Sequence, residues 1–119
     1  MEPDRGGRGV GTLAAGAVVL VRFPFSDLSE AKLRPAVVLA DCGRDDWLLC
    51  QVTSNPYSDS RAVKLTDSDF QSGSLRTVSY ARPAKLFTAH QSLIAAQVGV
   101  LRDEPLQQVI EAIVRLVSR

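Results

Sequence analysis

A single stretch near the end of this chain repeats its apolar residues at the helical period, and almost everything before it comes as short β-rich runs cut by turn residues. Many short strands followed by one packed helix define a mainly β fold, a compact and strongly bent sheet or small barrel. The run AVVLVRF (Ala17 to Phe23) is mostly apolar and β-branched, as a strand buried on both faces would be. Pro24, Ser26, Asp27 and Ser29 mark the loop after it. PAVVLADC (Pro35 to Cys42) reads as a second strand, GRDD as a turn, and WLLCQVTS (Trp47 to Ser54) as a third strand stopped by Asn55-Pro56, the two strands forming a hairpin. RAVKLT (Arg61 to Thr66) alternates polar and apolar residues, DSDF reads as a helical turn capped by Asp67, and RTVSYA and PAKLF supply one or two strands divided or bent at Pro83. AAQVGVL (Ala95 to Leu101) is a further strand.

In the terminal segment Leu106, Val109, Ile110, Ile113, Leu116 and Val117 form one face, with Gln107, Gln108, Glu111, Arg115 and Ser118 opposite. Asp103 is placed to cap it, and Pro105 fits its first turn. With 119 residues the chain reads as one domain, residues 16–119, after a flexible Gly-rich lead-in over residues 1–15. No run is long enough to span a membrane, and the lead-in lacks the apolar core of a signal peptide, so a cytoplasmic location is expected. Cys42 and Cys50 have neither metal-ligand spacing nor histidine companions, and read as reduced, packed thiols.

Net charge is only +1, but its distribution is uneven. No acidic residue lies between Asp69 and Asp103, an interval that holds Arg76, Arg82, Lys85 and Arg102. A local positive field of that kind can steer a polyanion to a nearly neutral protein.

Elimination narrows the chemistry. The one histidine, His90, reads as a capping or surface residue, and the acidic pairs at 45–46 and 67–69 as turn formers. With no converging carboxylates, no His/Cys cluster, no phosphate-cradling glycine loop and no nucleophile elbow, neither a metal nor another cofactor is expected. What remains is Arg34 at the mouth of the second strand and Thr53-Ser54 at the end of the third. In an antiparallel hairpin these ends meet, and a guanidinium beside a hydroxyl makes a cradle for a phosphate. The alternative is that Arg34 snorkels and Thr53 merely ends a strand.

GAVVLVRFPFSDLSEAKLRPAVVLAD (16–41) followed by DWLLCQVTS (46–54) strongly resembles the MazF/PemK family of bacterial toxins. SYARPAKLFT, LIAAQVGVL and the closing helix match more weakly, in the right order. The resemblance implies a homodimeric SH3-like barrel with short added helices. It also implies a metal-independent endoribonuclease that cuts single-stranded RNA, leaving 2′,3′-cyclic phosphate and 5′-hydroxyl ends, and a cognate antitoxin that blocks the groove. The family's catalytic residues fall on Arg34 and Thr53. Phe23, Pro24, Phe25 and Lys32 from the loop before the arginine, with Ser54, Arg82 and Lys85, are the expected substrate contacts, and Tyr57 joins Phe23 and Phe25 as a candidate for stacking on bases. The sequence departs from the family at Ala17, where relatives carry an acid, and at Phe87, where a basic residue is common. Two other readings fit the same fold: a CcdB-like gyrase poison, disfavoured by the ending LVSR, and a family member that binds RNA or antitoxin without cutting.

Overall fold

The computed structural model describes residues 12–24 and 31–118. Within these residues seven strands pair antiparallel into one curled sheet, a half-barrel of SH3-like character, and one α-helix follows them. The strands are β1 (Ala17–Pro24), β2 (Ala31–Gly43), β3 (Asp46–Thr53), β4 (Val63–Leu65), β5 (Phe70–Gly73), β6 (Ser79–His90) and β7 (Ile94–Leu101), and the helix is α1 (Asp103–Val117). Their order across the sheet is β4-β6-β3-β2-β1-β7-β5.

The apolar runs at the centre sort by the two-residue period of a strand. Val19, Val21, Ala36, Val38 and Leu49 point into one cluster with Trp47, Ala89 and Ile94. Val18, Val37, Cys50 and Val52 point into a second cluster, where Val109, Leu106 and Ile113 of α1 cover them. The central strands are therefore buried on both faces along Val18–Val21 and Ala36–Val38, as the mostly apolar composition of β1 predicts. The first cluster also takes in Leu13, from the stretch read as a lead-in, while residues 1–11 lie outside the described residues.

The β2–β3 hairpin forms as expected, with Val37 opposite Cys50 and Val38 opposite Leu49. Arg44 and Asp45 occupy its tip with φ of 57° and 63°, the pair of positive angles that a two-residue turn matching strand twist requires. Asp41 Oδ1 accepts from the Gly43 amide at 2.8 Å and braces the approach.

Several expectations need correction. β2 starts at Ala31, four residues before Pro35, so Arg34 lies within a paired strand opposite Val21 of β1. Of the one or two strands expected around Pro83, the bent single strand is the one that forms: it is β6, and the proline sits in a bulge between the Cys50–Leu86 and Val52–Ala81 pairs. A bulge is where a sheet tolerates a residue without an amide hydrogen. The 3₁₀ turn at Asp67–Asp69 is capped by Thr66, with the Asp69 carboxylate reaching back to the Thr66 amide at 2.7 Å. At α1 the cap position belongs to Arg102, and Asp103 begins the helix itself. Val117 stays exposed whereas Ala112 is buried. Cys50 is packed, and burial pushes its thiol up to about 12, but Cys42 is exposed.

β5 has no counterpart in the sequence reading. Its tether is a glycine pair: Gly73 lies opposite Gly99 of β7. Gly73 has φ +70°, and a Cβ there would run into the Val98 carbonyl; a Cβ on Gly99 would lie 2.7 Å from the Phe70 ring. Only hydrogen at both positions lets the backbones approach, with Phe70 filling the space above. Gly73→Ala is expected to lower stability by about 1–3 kcal/mol through this overpacking, read as a lower urea midpoint at unchanged slope. An unchanged midpoint would refute the close-approach account.

Candidate active site

The β2–β3 pairing ends at Ala36 opposite Gln51. Continuing that register by two residues sets Arg34 opposite Thr53, and both side chains line one open groove of about 500 Å³. Pro35 sits where β2 keeps β1 as a neighbour but has lost β3, an edge-like place that suits a proline. Lys32 and Leu33 join the lining from β2, and Ser54 from the position just after β3. Leu75, Thr77 and Ser79 close the other wall from the segment that leads into β6. Among the described residues the lining holds two cations, Lys32 and Arg34, and no acid.

Thr53 is oriented by its own turn. Its Oγ1 accepts from the Asn55 amide and donates to the Asn55 carbonyl, each at 3.1 Å. The amide bond pins the oxygen, while the hydroxyl proton can swing from the carbonyl to an incoming phosphate oxygen. Asn55 Oδ1 in turn accepts from the Tyr57 amide at 2.9 Å. Across the groove Ser79 is buried, and its hydroxyl donates to the Thr77 carbonyl at 2.9 Å, which spends its polarity internally.

Of the expected site residues, Arg34, Thr53, Lys32 and Ser54 converge. Phe23 pairs through its backbone with Lys32, and Pro24 with Ala31, which places both on the strand beside the groove wall. Phe25 lies outside the described residues. Arg82 and Lys85 do not line the groove. Lys85 is exposed in the β6 bulge. Arg82 Nε donates to Asp59 Oδ2 at 3.0 Å, with its guanidinium carbon 5.8 Å from the centre of the Tyr57 ring. Arg102 likewise is engaged, donating from Nε to the Ser68 carbonyl at 3.0 Å. The acid-free interval is thus not a single phosphate-binding face. Leu33 was within reach of sequence reasoning, as the neighbour of Arg34. Leu75, Thr77 and Ser79 carried no local signal, because only the fold brings them opposite Thr53.

His90 is exposed and caps a 3₁₀ turn, its Nδ1 accepting from the Ser92 amide at 3.1 Å. Among the described residues no group of three His, Cys, Asp or Glu side chains is placed to hold a metal ion, and no helix is long and apolar enough to cross a membrane.

A family profile described as PemK-like, MazF-like toxin of type II toxin–antitoxin system matches residues 14–117. The chain belongs to that family. Among solved structures it is similar to the MazE–MazF complex of Deinococcus radiodurans, with a TM-score of 0.70 at 20% identity over 87% of this chain and 94% of that one. The Mycobacterium tuberculosis toxin MazF-mt6 gives 0.65 at 17% identity, covering 83% and 93%. A mycobacterial endoribonuclease in complex with its cognate antitoxin gives 0.64 at 11%, covering 85% and 88%. No curated protein matches the chain by sequence.

The Asp59–Arg82 pair fixes the turn that follows Thr53. The Arg61 amide, 2.9 Å from Oδ1, and then the Arg82 guanidinium hold the Asp59 carboxyl below its ordinary 3.8. A depressed carboxyl stabilises the fold above its unfolded value and loses that contribution as pH falls through the folded one. Asp59→Asn is therefore expected to be less stable than wild type at pH 7, by about 1 kcal/mol, the typical net worth of one hydrogen bond. The gap should close as acid takes the pH below 3.8. Thermal unfolding across pH checks this, and a gap that persists in acid would contradict it.

Proposed function

We propose that this family member is the toxin of a type II pair and acts as an endoribonuclease on single-stranded RNA, without metal. The observation that carries the reading is the meeting of Arg34 and Thr53 in one groove with Lys32 beside them. RNA supplies its own nucleophile, so such a groove has little covalent work to do. The 2′-hydroxyl gives up its proton as its oxygen attacks the adjacent phosphorus, the bond to the 5′-oxygen breaks as that oxygen takes up a proton, and the fragments end in a 2′,3′-cyclic phosphate and a 5′-hydroxyl. Negative charge builds on the non-bridging oxygens at the phosphorane.

Arg34 is suited to that charge, since its paired donors are fixed in a strand and already partly withdrawn from water. Thr53 adds a donor to the same oxygens when its proton leaves the Asn55 carbonyl. Lys32 attracts the backbone on one side, and the apolar Leu33, 48% exposed, offers surface to a sugar or base. A guanidinium keeps its protons, so Arg34 is an electrostatic stabiliser rather than the base. The groove is also the natural target for inhibition by a protein antitoxin, the kind of partner bound in the mycobacterial and Deinococcus complexes. The working form is a cytoplasmic homodimer.

Arg34→Ala should lower the rate of RNA cleavage about 10²- to 10³-fold, the usual loss for one preorganised donor, while circular dichroism shows an unchanged fold. Arg34→Lys should recover little, because lysine lacks the paired fork. Wild-type rates in Arg34→Ala would remove the site assignment. Independently, cleavage should persist in excess EDTA and leave ends that polynucleotide kinase labels without prior phosphatase treatment. Activity lost in EDTA and restored by magnesium or manganese would overturn the metal-independent route.

A further inference from the structure

The turn after β3 carries a cost in its backbone. Tyr57 and Ser58 are consecutive non-glycine residues at φ of 53° and 62°. An aromatic side chain in the left-handed region is an outlier, and such strain persists where the surroundings impose it and where it serves a site. Here the surroundings are visible. The Asn55 side chain holds the Tyr57 amide at 2.9 Å, and the Asp59 amide closes the turn onto the Pro56 carbonyl, also at 2.9 Å. Arg82, itself locked to Asp59, sets its guanidinium against the ring.

The result is a ring held outward. Tyr57 is 67% exposed, the highest value among the large hydrophobic side chains of the described residues. A ring that merely packed would be covered, and a merely solvated turn would carry glycine or asparagine at such a φ. The cation lies toward one side of the ring, which leaves an aromatic face to solvent. The turn that carries it begins at Thr53, and four residues of chain span at most about 14 Å, a length covered by a few nucleotides of extended strand.

We infer that Tyr57, backed by Arg82 and Asp59, is a stacking platform for an unpaired nucleobase flanking the bond held at Arg34 and Thr53. The inference rests on the ribonuclease reading and adds a subsite to it. It also gives Arg82 a different part from the one its charge implies: it orients the ring and leaves the phosphates to Lys32 and Arg34. Stacking on an aromatic face tolerates any base, so this subsite contributes affinity more than sequence choice.

The probe is a fluorescein-labelled, randomised single-stranded 2′-O-methyl RNA, which lacks the free 2′-hydroxyl nucleophile and reports binding without cleavage. Tyr57→Phe keeps the face and should bind within about twofold of wild type, since stacking needs the ring alone. Tyr57→Asn removes the face but suits the left-handed backbone, so it should bind roughly 5- to 150-fold more weakly while melting no lower than wild type. A purely structural tyrosine could not give weaker binding with undiminished stability. Equal binding by wild type and Tyr57→Asn would overturn the subsite alone, leaving the ring to a protein partner. No binding of the probe by wild type would remove the ribonuclease reading, and the subsite with it.

Discussion

The pairing of β2 with β3 is the constraint on which the rest of this molecule depends. Val37 and Val38 point to opposite clusters, each fully buried, so β2 has no face that could be given to solvent. Slipping the strand by one residue would exchange those faces and unseat both clusters at once. The same register, carried two residues past Ala36 and Gln51, sets Arg34 opposite Thr53. Core packing thus sets the geometry of the groove, and no separate device is required to bring the guanidinium and the hydroxyl together.

Where the register ends, the groove opens. β2 continues past Ala36 beside β1 alone, β3 stops at Thr53, and the space between them is filled by neither strand. The next segment, from Asn55 to Asp59, is built almost entirely from local hydrogen bonds and then fastened to β6 by the Arg82–Asp59 pair. Fastening that turn to a neighbouring strand by an ion pair holds it with little buried apolar surface. The cations are divided accordingly: Lys32 and Arg34 line the groove, while Arg82 and Arg102 lie outside its lining and donate to Asp59 and to the Ser68 carbonyl. The modest net charge of +1 conceals that division.

The closing of the sheet shows a second economy. β5 is short and mostly exposed, and only Phe70 anchors it in the core. It can join β7 because two glycines face each other there and the Phe70 ring occupies the room they leave. Nothing in the string FQSG announces a strand, since its signal lies in Gly99, some twenty-six residues away in sequence.

The sequence by itself determined what depends on neighbours along the chain. Its alternating and continuous apolar runs defined the central strands, the helical period defined α1, and GRDD defined the hairpin tip. Through that hairpin, Arg34 and Thr53 were also legible, because antiparallel pairing needs only a turn and two strands. Caps and strand ends were less so: Thr66 rather than Asp67 holds the 3₁₀ turn, and β2 begins before Pro35, since competing side chains and cross-strand partners settle such ends. Only the tertiary structure decided which cations meet the groove. Arg82 is indistinguishable from a phosphate ligand until Asp59, twenty-three residues earlier, is folded against it, and Leu75, Thr77 and Ser79 become a groove wall only when β6 lies beside β3. Charge and exposure are properties of distant partners, and a linear pattern does not record them.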